Sequence, residues 1–175
     1  MILDVSRARD WAIAKHGDQK YGKGPDAKPY AYHLRAVAAI AAPYGELAET
    51  VAWLHDVIED TPTTEEEVAA EFGDQVARLV AYLTDEPADS RDEKKAKTNG
   101  KLAAVPEEDS VALVVKASDR LANLRESVKP GEKSERMLVR YRGEHPAFRK
   151  ATFRPGLCDG IWVEIDGIVG DVAGG

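Results

Sequence analysis

Apolar residues recur along this chain at intervals of three and four, the spacing of one face of an α-helix. Val5, Ala8, Trp11, Ala12 and Ala14 predict a helix over about 4–16, and Val37, Ala38, Ile40 and Ala41 one over about 33–42. A longer apolar stretch predicts a helix over about 46–59. Thr64 with Glu67 forms a capping box, each side chain serving the other's backbone N–H, and opens a helix at about 64–71 that Gly73 breaks. Val76, Leu79, Val80 and Leu83 carry the pattern on over about 74–84. Further helices are expected at about 109–127, 132–151 and 157–170. Period-two alternation, the mark of a half-buried strand, is absent beyond short stretches, so no sheet is expected. The pattern predicts an all-α fold, a single bundle of about eight to ten helices.

Three stretches break the pattern. Residues 17–32 carry glycines and prolines without apolar periodicity, and a loop this long in a compact domain is often functional. Residues 86–106 are densely charged; Arg91 to Leu102 predicts an exposed helix whose charges form a solvated face, and the segment could also flank the mouth of a site. The glycine-ended tail from Gly170 to Gly175 is expected to fray.

The chemistry concentrates in Trp53-Leu54-His55-Asp56-Val57-Ile58-Glu59-Asp60-Thr61. One imidazole and three carboxylates share an otherwise apolar segment. Helical spacing makes Asp56 a neighbour of both Glu59 and Asp60, where like charges repel. A cation between them relieves the repulsion, as does one carboxyl held protonated for acid/base work. The plain alternative is a solvated acidic helix end, although helix C-termini favour cations over anions. His33 opens an earlier apolar run, and Asp119 lies inside a later one, Val114 to Asn123. Two imidazoles and two carboxylates, His33, His55, Asp56 and Asp119, can form a mixed nitrogen/oxygen site for a first-row divalent metal. Those ligands alone would also accept iron, cobalt, nickel or zinc.

In this order the residues resemble the HD-domain metal-dependent phosphohydrolases. The blocks "AYHLRAVAAIA", "VAWLHDVIEDTPTTEEEVAAEFGDQVARLVAYLTD" and "LVVKASDRLANLRES" are similar to the hydrolase domain of RelA/SpoT-type enzymes, in particular the stand-alone small alarmone hydrolases. The resemblance is strongest over residues 12–126, with the helices of 132–170 completing one domain over 1–175. It implies an HD-domain helical bundle and removal of pyrophosphate from the 3′ position of (p)ppGpp, giving GDP or GTP, and leaves open whether this serves the stringent response or an antitoxin role. It implies one manganese ion (Mn2+) held by His33, His55, Asp56 and Asp119, and a catalytic pair, Glu59 and Asp60, that handles the attacking water. Asn123 matches a nucleotide-contacting asparagine, and Tyr141 is a candidate substrate contact.

Two departures stand out. The family's His-Pro after the first ligand is His33-Leu34 here, which removes rigidity from a helix first turn rather than chemistry. The loop ahead of His33 carries an arginine- and lysine-rich run in many members but reads Gln19-Lys20-Tyr21-Gly22-Lys23 here. Lys20 keeps one cation, and Tyr21 could stack on a purine, so Lys20, Tyr21, Asn123 and Tyr141 are the expected substrate contacts. Lys23, Arg35, Lys116 and Arg120 are further cations for a polyanionic substrate, with Arg120 and Lys116 better explained as structural.

Composition limits the remaining choices. The 175 residues, 43% apolar, suit one domain with one core. A net charge of −7 argues against a nucleic-acid-binding surface and is compatible with a small phosphorylated nucleotide in a locally basic pocket. The single cysteine, Cys158, is expected in the core of the last helix and fits a reducing, cytoplasmic compartment. No signal peptide and no membrane-spanning run is read. Oligomeric state is left open. Two other classes remain: an HD-type nucleotidase acting on another nucleotide, and a non-catalytic module that keeps the metal for structure. Retention of Glu59 and Asp60 argues against the second, since a structural site needs only its ligands.

Overall fold

The computed structural model describes residues 4–170, so the expected fraying of residues 171–175 falls outside the described residues. The elements are α1 (Val5–His16), β1 (Lys20–Tyr21), β2 (Lys28–Pro29), α2 (Ala31–Ala41), α3 (Glu46–Leu54), α4 (Val57–Asp60), α5 (Glu65–Phe72), α6 (Asp74–Leu83), α7 (Arg91–Ala103), α8 (Val111–Ser127), α9 (Glu132–Thr152) and α10 (Asp159–Gly170). The expected all-α bundle is present, and no helix among the described residues is long and apolar enough to cross a membrane.

Helix ends form where the sequence supplies caps. Asp4 accepts from the Arg7 N–H, Ser90 accepts from the Glu93 N–H, and the Thr64/Glu67 capping box is complete. Between α5 and α6 the chain turns at Gly73 with φ 91°, a left-handed conformation that costs a glycine little.

α3 is the centre of the bundle. Thr50 to Leu54 are buried along with His55, because α1, α2, α6 and α8 pack around it. Leu34 and Val37 of α2, Leu79 and Val80 of α6, and Ala112 and Val115 of α8 complete this core, and Trp53 is buried in it as expected. Leu34, the residue after His33, is fully buried in this core. A second core joins α8, α9 and α10 through Leu121, Leu124, Phe148, Trp162 and Ile165. α8 belongs to both cores, and that shared position carries Asp119 to the end of α3.

Three details differ from the sequence reading. Lys20 and Tyr21 pair with Pro29 and Lys28 in a two-stranded antiparallel ribbon where no sheet was expected. Two residues per strand are too few to show alternation, and the pairing closes the long loop. Cys158 is buried but lies one residue before α10 rather than within it. The expected 46–59 helix breaks at His55-Asp56, with Asp56 at φ −105° and ψ 0° before the single turn of α4. Successive residues of an unbroken helix point about 100° apart; the break lets His55 and Asp56 face one point.

Candidate metal centre and active site

Four side chains from three regions of the chain converge at that point. His33 comes from the first turn of α2, His55 and Asp56 from the break after α3, and Asp119 from the middle of α8. His55 Nε2 lies 2.9 Å from Asp56 Oδ2 and 3.3 Å from His33 Nε2. His33 Nε2 lies 3.2 Å from Asp119 Oδ1 and 3.6 Å from Asp56 Oδ2. Both imidazoles are buried, and one ligand atom each from His33, His55 and Asp119 falls within 4.8 Å of the others.

The donor set fits a divalent cation. His55 Nδ1 donates to the Ala52 carbonyl at 2.7 Å, which leaves the Nε2 lone pair aimed into the cluster. The Tyr30 hydroxyl donates to Asp56 Oδ2 at 2.6 Å, and Asn123 Nδ2 donates to Asp119 Oδ1 at 2.7 Å. Both carboxylates therefore receive hydrogen bonds that hold them in place for an ion. Lys116 stands 3.9 Å from Asp119 Oδ2 while donating to the Leu83 carbonyl.

The titration behaviour follows from this crowding. Burial opposes the imidazolium at His55, but the charge and hydrogen bond of Asp56 outweigh it and raise the group to about 9. Burial also opposes ionisation of Asp56 and Asp119, yet the facing imidazoles hold both well below the usual carboxylate range. Burial and then Asp56 push the Tyr30 phenol up, so it remains a donor.

Around the cluster, the sequence-predicted residues take distinct positions. Asp60 sits one turn beyond Asp56, its Oδ2 accepting from Gln19 Nε2 at 2.9 Å. Glu59 turns toward the charged segment, accepting from the Asp85 N–H at 2.9 Å with Lys94 Nζ at 3.4 Å. The segment read as a solvated face thus also reaches the site. Tyr21 lies flat on His33, 4.9 Å between ring centres at 3°, and its hydroxyl donates to Asn123 Oδ1 at 2.9 Å. One face of Tyr21 is therefore occupied, and both amide hydrogens of Asn123 are directed at Asp119.

Tyr21, Asn123, Ser134, Met137 and Tyr141 line a groove of about 590 Å³. Lys23, Lys28, Lys129 and Lys133 line it too, against Asp26 and Glu126, so the groove is locally positive on an acidic chain. Burial raises the Tyr141 phenol to about 12. Lys20, paired with Pro29 and exposed, is not among the groove's lining residues. Arg120 pairs with Glu144 at 3.2 Å between the rings of Tyr141 and Phe148, the structural role expected of it.

Tyr30, Gln19 and the groove lysines 28, 129 and 133 escaped the sequence reading. Tyr30 could have been found: it precedes His33 by three positions, a helical interval, and a phenol there can reach the same cluster. Gln19 and the lysines stand in the loop after α1, in the short ribbon, after α8 or at the start of α9, with no periodicity to mark them.

Comparison with known proteins gives the family. An HD-domain family model matches residues 8–141, which contain all four clustered residues. The chain belongs to the HD-domain family. An Aquifex aeolicus protein named guanosine-3′,5′-bis(diphosphate) 3′-pyrophosphohydrolase is 38% identical over 124 residues, 70% of this chain and 17% of that protein. The Mus musculus protein of the same name, MESH1, is 37% identical over 123 residues, 68% of this chain and 66% of that one. The matched region thus spans a small part of the bacterial relative and about two thirds of the mouse one. Among solved structures, a metazoan SpoT ortholog superposes with a TM-score of 0.79 at 24% identity, covering 97% of this chain and 95% of that one. The Listeria monocytogenes protein lmo0812 superposes with a TM-score of 0.57 at 26% identity, covering 82% and 97%.

Proposed function

We propose that the chain is a metal-dependent hydrolase that removes pyrophosphate from the 3′ position of guanosine alarmones, (p)ppGpp, giving GDP or GTP. The observation that carries this reading is the convergence of His33, His55, Asp56 and Asp119 beside a positive groove of nucleotide size. Relatives at 37–38% identity that are named for this reaction support it. The four residues would hold one divalent ion, and manganese is the ion we assign, as the resemblance implies. When bound, such an ion lowers the pKa of a coordinated water and polarises a phosphoryl oxygen.

The chain's own residues supply the rest. Tyr30 and Asn123 hold Asp56 and Asp119 in orientation. Glu59 and Asp60, beyond the ligands on α4, orient the attacking water and move its proton, or protonate the leaving oxygen. The groove takes the nucleoside and its 5′-phosphates, with Tyr21 and Tyr141 as walls and the lysines facing the phosphates. We assign residues 1–175 to one HD-type domain acting in the cytoplasm, where its single cysteine, Cys158, stays reduced.

A second reading is favoured by the groove's lining. Tyr21 presents a ring rather than a hydrogen-bonding edge, and the Asn123 amide hydrogens are committed to Asp119. A purine held mainly by stacking is discriminated weakly, so an adenosine 3′-pyrophosphate should turn over within about tenfold of the guanosine one, about 1.4 kcal/mol. Steady-state kinetics on the matched pair test this. A preference above about a hundredfold would show a polar group reading the base edge. Release of single phosphates would move the chain to an HD-type nucleotidase acting on another nucleotide.

A further inference from the structure

We propose that Gln19 is a positioning residue for Asp60, and that the buried ring of His16 sets the direction in which its amide points. The proposal rests on Asp60 acting in the reaction proposed above. Asp60 ends the single turn of α4, is exposed, and has no lysine or arginine partner among the described residues. Its oxygen is held by Gln19 Nε2 at 2.9 Å. With the NH₂ donating to Asp60, the amide turns its oxygen the other way.

On that other side stands His16. Gln19 Oε1 is 2.8 Å from His16 Nδ1, which must therefore carry the proton. His16 is buried at the end of α1, and its Nε2 has no hydrogen-bond partner among the described residues. A proton on Nε2 would leave a buried donor unsatisfied, so the surroundings of both ring nitrogens select one tautomer. The amide of Gln19 is thereby kept from flipping.

The unit is anchored at both ends. The Gln19 N–H donates to the His16 carbonyl, and the Gln19 carbonyl accepts from the Tyr30 N–H, each at 3.0 Å. The His16 ring stacks on Tyr30 at 4.6 Å and 18°, and the Tyr30 hydroxyl reaches Asp56. One short segment after α1 thus orients a carboxylate of the metal cluster through Tyr30 and the neighbouring Asp60 through Gln19.

A double-mutant cycle tests this. Gln19→Glu keeps the shape and can still accept from His16, but turns an oxygen toward Asp60. On guanosine 3′-pyrophosphate we expect kcat to fall about tenfold or more with KM within about twofold, the mark of lost orientation rather than lost binding. Gln19→Met, which removes the donor without adding charge, should fall in the same direction. Placed in Asp60→Asn protein, either change should alter kcat by less than about twofold, because its target is already gone. Equal losses in both backgrounds would show that Gln19 acts on the fold at large and would overturn the proposal. Wild-type turnover in Asp60→Asn protein alone would remove Asp60 from the reaction and the proposal with it. The ¹⁵N spectrum of His16 checks the arrangement without turnover, whatever the substrate proves to be. A proton on Nδ1 and a bare Nε2 are expected in the wild-type protein, and a proton on Nε2 would overturn the assignment.

Discussion

The Tyr30 hydroxyl donates to Asp56 Oδ2 across 2.6 Å, joining the start of α2 to the break between α3 and α4. Asp56 would otherwise face two imidazoles on a short segment of its own. The phenol fixes which oxygen turns inward, and the hydrogen bonds behind a ligand commonly set its affinity. Tyr30→Phe should therefore weaken manganese binding by about 10- to 100-fold. Chelator competition measures this, and unchanged affinity would mean that the hydrogen bond is incidental.

Metal binding should expel a proton. In the metal-free protein burial opposes the charged His55 ring, but Asp56 outweighs it and pushes the group up from 6.5 to about 9. The sign follows from that direction: the stability gained by the charged imidazole is fully present below 6.5 and is lost as pH rises through about 9. An ion needs the bare nitrogen, so its affinity should climb through the same window with release of about one proton per ion. Calorimetry in buffers of different ionisation enthalpy counts that proton. Affinity independent of pH between 6.5 and 9 would contradict the assignment of His55 as a ligand.

Glu59 and Asp60 should separate binding from chemistry. Neither belongs to the four-residue cluster, and each is held from outside it, Glu59 by Asp85 and Lys94, Asp60 by Gln19. Glu59→Gln and Asp60→Asn should keep about one ion per chain while turnover drops by about 10²-fold or more. Metal analysis and kinetics on the same preparations check this; full turnover in both variants would make the pair structural.

Much of this site was legible in the sequence, because helical periodicity fixes faces. His33, Asp119 and the doublet His55-Asp56 each sit on or beside an apolar run, and it is their joint pattern, with the family resemblance, that marked them as one site. The break at His55-Asp56 was not legible, because no proline or glycine there interrupts the helical pattern. The ribbon of residues 20–29 is too short to leave an alternating signature. Tyr30 stands a helical interval before His33, but its contacts with His16 and Gln19 cross a loop and depend on how the chain folds back. The 86–106 segment shows the same limit. Its charges predicted a solvated helix, while Lys94 reaching Glu59 depends on the path of the loop before α7.

The groove lysines should act on binding rather than on the chemical step. Lys23, Lys28 and Lys133 stand on the groove without carboxylate partners among the described residues, whereas Lys129 pairs with Glu126. Lys133→Ala should raise KM several-fold, about 1 kcal/mol, with kcat little changed, and the difference should shrink as salt is added. Lys20→Ala, off the groove, should leave KM within about twofold. The reverse ranking of the two lysines would place the substrate phosphates on the other side of the ribbon.

The most direct measurement follows the product. Purified protein stripped of metal, then supplied with manganese, is given a guanosine nucleotide carrying a 3′-pyrophosphate, and the released phosphorus species is identified by ³¹P NMR. Intact pyrophosphate and a 5′-phosphorylated nucleoside, appearing only with the ion and lost in His55→Ala protein, is the predicted result. Single phosphates, or the same turnover without metal, would contradict it.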